Sequence, residues 1–378
     1  MRDGYSFKET NFLRIIAVAN QKGGCGKTTT SINFSACLSF LQKKVLLIDL
    51  DPQGHSTCGL GVKTQKGMLT LYDLLTPLQG VAHSLSQVLY NPQPDLDLIP
   101  CNASLNALEE EFGFMPNYHL KLRDLLTRIS EDERRYDFVV LDCPPNLGIL
   151  TWNALSAADE VLIPVEPSFF SLHGLAKISE TLQVVSRSRE TPLGVHALMT
   201  LFNPEVSFSH EIYDEVRAHF QSRLFTTIIH EHASLKEAAA AGQSIAQYAP
   251  QSQAFQDYLN LAVEYLERDW NRKLPEKELG WDQIFRNHFG PRQISDGILF
   301  QFFSKTSSTV EVAGDFNHWI PEPLVRRDQD GLWQKVISVE LKTFRYKFIV
   351  DGEWQVDPSQ PMQKQNAYGG VDSYMEFA

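Results

Sequence analysis

The stretch Asn20–Thr30, NQKGGCGKTTT, concentrates residues that together could hold a phosphate chain. Glycines at 23, 24 and 26 let a backbone close around an anion, and a following helix start adds a favourable dipole. Lys27 stands where an ammonium would reach β- and γ-phosphates, and the Thr28 hydroxyl is placed for Mg2+. Gly23, Gly24, Cys25, Gly26, Lys27, Thr28 and Thr29 are therefore the candidate nucleotide-binding residues. The standard pattern G-x-x-x-x-G-K-[ST] is broken, because Gln21 stands where its first glycine belongs. A second lysine, Lys22, precedes the glycines, and one phosphate site does not need it. Two more segments end apolar runs in carboxylates. VLLIDLDPQGHST (Val45–Thr57) carries Asp49 and Asp51 before a Pro-Gln-Gly turn, and YDFVVLDCPPNLG (Tyr136–Gly148) carries Asp142.

These groups need rigid elements to hold them. Between Leu13 and Arg268, short apolar runs alternate with helical patterns: LRIIAVA, KVLLIDL, LDLIP, YDFVVLD, EVLIPV, GVHALMT and FTTII. Continuous apolar runs of this kind suit strands buried on both faces of a parallel sheet. Phe255, Leu259, Ala262 and Leu266 follow the stripe of an amphipathic helix. Residues 1–267 thus predict a doubly wound, mostly parallel α/β domain. Residues 268–294, charged and broken by prolines and glycines, read as a linker. From 295 to 378 the alternation is period-two and rich in aromatics, with hairpin signals at Asp330-Gly331 and Asp351-Gly352. That pattern predicts a small all-β, immunoglobulin-like sandwich.

The chain has 378 residues and a net charge of −12, so any contact with a nucleic-acid backbone needs a local basic patch. Its five cysteines include no CxxC pair, which points to reduced thiols and a cytoplasmic setting. No apolar run approaches the ~20 residues of a membrane span, and no amphipathic membrane stretch is visible.

KGGCGKTTT resembles the deviant phosphate loop of the ParA/MinD ATPases, in which an extra signature lysine reaches across a nucleotide-sandwich dimer to the partner's ATP. The resemblance implies that Lys27 serves its own subunit and Lys22 the other, giving an ATP-dependent homodimer. DLDPQGH resembles the family's switch I, with His55 replacing an asparagine, and makes Asp51 the residue that orients the attacking water. YDFVVLDCPPNLG resembles the Walker B and switch II segment, which implies that Asp142 holds Mg2+ through water, alongside Thr28 and Asp51. AFQDYLNLAVEYLE resembles the family's C-terminal helix. Where chromosome-type members have a loop like IPRNVRLxEAPSxGKP, this chain reads IHEHASLKEAAAAGQS. His230 and His232 replace the proline and asparagine of the nucleotide-base side. Glu231 and Ser234 replace arginines of the surface that binds non-specific DNA, so the resemblance implies weakened DNA contact.

VEVAGDFNHW, YKFIVDGEW and NAYGGVDS resemble the family-48 carbohydrate-binding modules, which include the glycogen-binding domain of the AMP-activated kinase β subunit. That likeness implies an α-glucan site at Trp319, Lys347, Trp354 and Asp372, the last often asparagine in the family. The family's inserted leucine is replaced by Ala367 or Tyr368. Tryptophan faces suit glucose rings, and a lysine and an amide suit hydroxyls. A second expectation, that Trp319 and Trp354 belong to a sandwich core and the domain docks a protein, stays open at this point. The implied function is a Mg2+-dependent ATPase switch for partition or positioning of a cargo, with an activating partner protein. Conventional chromosome or plasmid partition on DNA, and a glucan-sensing regulatory ATPase, are the alternatives.

Overall fold

The structure, a computed structural model, describes residues 13–76, 83–108, 117–130, 136–168, 175, 178, 181–187, 189 and 191–268. In the C-terminal part it describes 291–294, 297–304, 307–326, 332–339, 341–358, 360, 362–366 and 368–376. The chain divides into two compact units, Met1–Pro275 and Glu276–Ala378.

In the first unit every strand expected from the apolar runs forms: β1 (Arg14–Val18), β2 (Val45–Asp49), β4 (Leu96–Ile99), β5 (Phe138–Asp142), β6 (Glu160–Val165), β7 (Gly194–Phe202) and β8 (Leu224–His230). They join one eight-stranded sheet in the order β3-β4-β2-β5-β1-β6-β7-β8. β2, β5 and β6 are buried along their whole length, as central strands covered on both faces must be. Among the described residues one strand is unexpected: β3 (Tyr90–Gln93) is the antiparallel edge, and its polar, proline-bearing YNPQ carries no strand pattern. Parallel registers set Asp49 opposite Asp142 and Asp142 opposite Val18. The carboxyl ends of β1, β2 and β5 therefore meet, where a doubly wound sheet binds its ligand.

Helix α1 (Lys27–Phe40) leaves the loop after β1 and is buried from Thr30 to Ser39. The helix Gln253–Glu267 packs beside it, with its buried face turned slightly from the expected stripe. Ala254, Tyr258, Leu261 and Tyr265 go inward with Phe255 and Ala262, while Leu259 and Leu266 are only partly buried. Polar partners for the two tyrosine tips fix that rotation, since a buried phenol needs one. Tyr258 Oη lies 3.3 Å from Thr30 Oγ1, and Tyr265 Oη donates to Glu160 Oε2 at 2.6 Å. Among the described residues no helix is long and apolar enough to cross a membrane.

The second unit is all antiparallel. One sheet orders β13 (Val325–Arg326), β14 (Leu332–Ile337), β10 (Gly297–Phe303) and β9 (Arg292–Ile294). The other runs β12 (Glu322–Pro323), β11 (Val310–Gly314), β15 (Thr343–Val350), β18 (Val371–Glu376), β17 (Gln363–Gln365), with β16 (Glu353–Gln355) also on β15. β9 lies inside the stretch read as linker and pairs with β10; residues 269–290 of that stretch lie outside the described residues. Phe300, Phe302, Val312, Trp333, Tyr346 and Phe348 belong to the shared core of both sheets. Asp351-Gly352 turns β15 into β16 with φ of 49° and 88°, the left-handed pair a two-residue hairpin requires. The Asp330-Gly331 signal lies outside the described residues.

Candidate functional site

The glycine loop closes on itself. Gly24 and Gly26 take left-handed φ of 78° and 85°, and Gly26 caps α1 without any side chain bonding the first turn. The N–H groups there are open to an anion, and Lys27 lies across the loop, donating to the Lys22 carbonyl at 2.7 Å. Thr200 Oγ1 of β7 braces the loop by donating to the Cys25 carbonyl at 2.9 Å. Cys25 contributes backbone only. Its thiol is buried and donates to the Lys22 carbonyl at 3.2 Å, and burial raises its pKa, which disfavours a reactive thiolate. This cradle fits a phosphate chain. Lys22 extends the other way: its ammonium contacts Glu166 and Ser168, just beyond β6, in its own chain.

The three carboxylates divide in role. Asp142 is fully buried and accepts from Ser31 Oγ at 2.9 Å and Ser56 Oγ at 2.7 Å. Burial pushes its pKa up against these donors. Oxygens already engaged by hydroxyls suit a Mg2+ ion held through water rather than directly. Asp49 accepts from Thr57 N at 2.8 Å, Thr57 Oγ1 at 2.7 Å and Asp51 N at 3.1 Å, so it braces the turn after β2. Burial first, and then the charge of Asp142, push Asp49 up to about 7. Asp51 is less engaged: among the described residues Oδ1 accepts from Gln53 N at 3.0 Å, and His55 Nδ1 stands 3.9 Å from Oδ2. Lys27, Thr28, Asp51 and Asp142 thus gather at the carboxyl ends of β1, β2 and β5. Ser31, Ser56, Thr57, Glu166 and Thr200 also shape the site, and sequence reasoning did not single them out. Hydroxyl residues are too common to mark themselves, although Ser56 and Thr57 lie in the switch-like segment.

In the second unit the registers of β15, β16 and β18 bring Lys347, Trp354 and Asp372 to the face of the sheet opposite the core. Trp319 joins them from the turn after β11, its indole N–H donating to Asp315 Oδ1 at 3.0 Å. The Trp319 and Trp354 rings lie 6.2 Å apart at 33°. Neither belongs to the core, whose tryptophan is Trp333. Lys347 Nζ sits 3.3 Å from the buried Asp372 Oδ1, which also accepts from Asn366 Nδ2 at 2.8 Å. Asp372 therefore anchors Lys347 and Asn366 from beneath. Tyr368 is 97% exposed, and Ala367 lies outside the described residues.

Known proteins resemble both units. Residues 13–195 match the family described as AAA domain, and residues 299–378 match the glycogen recognition site of AMP-activated protein kinase. The chromosome partitioning protein ParA of Myxococcus xanthus is 36% identical over 260 residues, covering 68% of this chain and 89% of that protein. The chromosome-partitioning ATPase Soj of Thermus thermophilus is 39% identical over 261 residues, covering 68% and 96%. The chain belongs to the ParA/Soj family. A solved structure similar to this ParA-type unit is cobyrinic acid a,c-diamide synthase from Mycobacterium smegmatis with bound ADP and magnesium. It is 27% identical at a TM-score of 0.59, covering 69% of this chain and 96% of that one. A second structure of that enzyme holds an ATP analogue and magnesium. This ParA-type chain is a P-loop ATPase with ATP and Mg2+ as cofactors, of a family that forms ATP-dependent dimers, and it carries a glycogen-binding-like C-terminal unit.

Proposed function

We propose that this ParA-type ATPase is a dimerising switch that positions an α-glucan body, such as a glycogen granule, in the cytoplasm. The observation that carries the reading is the pair formed by half-buried Trp319 and exposed Trp354 beside Lys347, on a unit whose core is already complete without them. Two indole faces can stack on successive glucose rings, and an ammonium and an amide can bond their hydroxyls. On the ATPase side, Lys27 and the loop amides bind phosphates, Thr28 and Asp142 hold Mg2+, and Asp51 orients water for hydrolysis. Lys22 leaves Glu166 to meet the phosphates of a partner subunit, making dimerisation depend on ATP. An activating protein supplies the trigger for hydrolysis.

Partition on non-specific DNA receives less support. Lys236, a basic residue of the helix Ala233–Ala240 after β8, faces Glu231 at 3.8 Å, and the chain as a whole is acidic. The deciding experiment is co-sedimentation of the full-length protein with glycogen, with and without ATP, alongside a Trp319→Ala/Trp354→Ala variant. Pelleting of the wild type alone supports the glucan anchor. If neither pellets, the unit docks a protein, and DNA affinity of the ATP-bound form then tests conventional partition. Glycogen-dependent turnover with no ATP-dependent dimer would favour a glucan sensor.

A further inference from the structure

Among the described residues outside the nucleotide loop, one cluster gathers ligand-type side chains from separate elements. His230 ends β8, His232 precedes the helix Ala233–Ala240, and Asp257 belongs to the helix Gln253–Glu267. Their imidazole nitrogens and carboxylate oxygen all lie within 4.8 Å of one another. His230 Nδ1 is 2.9 Å and His232 Nε2 is 3.3 Å from Asp257 Oδ2. We propose that His230, His232 and Asp257 form a binding site for a zinc-class divalent transition-metal ion, separate from the Mg2+ of the ATPase centre.

The argument is one of geometry and ligand type. A tetrahedral ion with arms of ~2.0–2.1 Å sets its donors ~3.3 Å apart, close to the 2.9 Å and 3.3 Å that separate the two imidazoles from Asp257 Oδ2. Two imidazoles with one carboxylate favour Zn2+, Co2+ or Ni2+, whereas Mg2+ takes oxygen donors and water. The carboxylate is held before any ion arrives. Asp257 is buried, its Oδ1 accepts from Gln253 Nε2 at 3.0 Å, and its Oδ2 accepts from the His230 amide at 3.0 Å. Such outer contacts orient ligands and strengthen a site. Both imidazoles are partly exposed, at 35% and 24% of their side chains, so an ion can enter from solvent and water can fill its fourth position. The next residue after Asp257, Tyr258, meets Thr30 of α1, so an ion here would tie the end of β8 to the helix backing the phosphate loop.

The test is calorimetric titration of ZnCl2 into the full-length protein saturated with Mg2+-ADP, paralleled by CoCl2 absorption spectra. Wild type should bind one Zn2+ per chain and give the intense visible bands of tetrahedral Co2+. His232→Ala should weaken Zn2+ binding by about tenfold or more and abolish those bands. His230→Gln, which removes one donor with less change of volume, should do the same while melting like the wild type. Failure of wild-type protein to bind Zn2+ with Mg2+-ADP in place would overturn the proposal. So would equal binding by wild type and the His230→Gln/His232→Ala double variant, which would assign the ion to other groups such as the exposed Cys58.

Discussion

The Lys22–Glu166 contact makes a quantitative demand on dimerisation. If Lys22 must leave Glu166 and Ser168 to reach a partner's phosphates, each subunit loses an ion pair before the dimer gains anything. Both side chains are about four-fifths buried, at 17% and 21% exposure. An ion pair in such a setting is worth ~1 kcal/mol, at the upper end of surface pairs. Two copies break per dimer, so Glu166→Gln should favour the ATP-bound dimer by ~2 kcal/mol, or about thirtyfold in dissociation constant. The assay is sedimentation velocity across a concentration series with Mg2+ and a non-hydrolysable ATP analogue. A melting curve checks that the variant folds like the wild type. Lys22→Ala serves as the opposite control, remaining monomeric while still binding nucleotide. A Glu166→Gln dimer no tighter than wild type, or a Lys22→Ala protein that dimerises normally, would refute the reasoning.

Three further outcomes follow from the site geometry. Trp354→Ala should weaken glycogen binding about tenfold, since ~60 Å2 of apolar contact with a sugar face at ~25 cal/mol/Å2 is worth ~1.5 kcal/mol. Its melting temperature should hold, because the side chain is 48% exposed, whereas Trp333→Ala should destabilise the second unit by ~3–5 kcal/mol. Asp49 is raised to about 7, so its protonated form stabilises the fold fully below the ordinary carboxylate range near ~4, and that stability is lost as pH rises through about 7. In nucleotide-free, Mg2+-free protein the melting temperature should therefore rise from about pH 8 to about pH 6, and Asp49→Asn should flatten that rise; equal slopes would contradict it. Thr200→Val removes the 2.9 Å bond to the Cys25 carbonyl, a loss of ~1 kcal/mol that should weaken ADP binding about fivefold by calorimetry.

The sequence by itself pointed to the glycine loop, the segments that form the buried strands and a two-part plan, while the order of those strands in the sheet came from the fold. Each is written in local pattern: glycines before Lys27, continuous apolar runs, then period-two alternation with tight-turn pairs. Asp51 and Asp142 were legible for the same reason, because each ends or follows a run whose burial fixes where its carboxylate emerges. Trp319 and Trp354 were nameable from their motifs, but sequence left open whether they belonged to the core. Strand register decided that, by giving the core to Phe344, Tyr346 and Phe348 and turning Lys347 and Trp354 to the other face. Only tertiary structure showed Asp49 to be a brace bonded three times over, and only it joined Lys22 to Glu166. It also rotated the C-terminal helix to satisfy two tyrosine hydroxyls, and it brought His230 and His232 onto Asp257. Apart from the local turn at Asp49, these are contacts between residues far apart in the chain. Their partners are set by how elements pack, and short-range spacing carries no record of that.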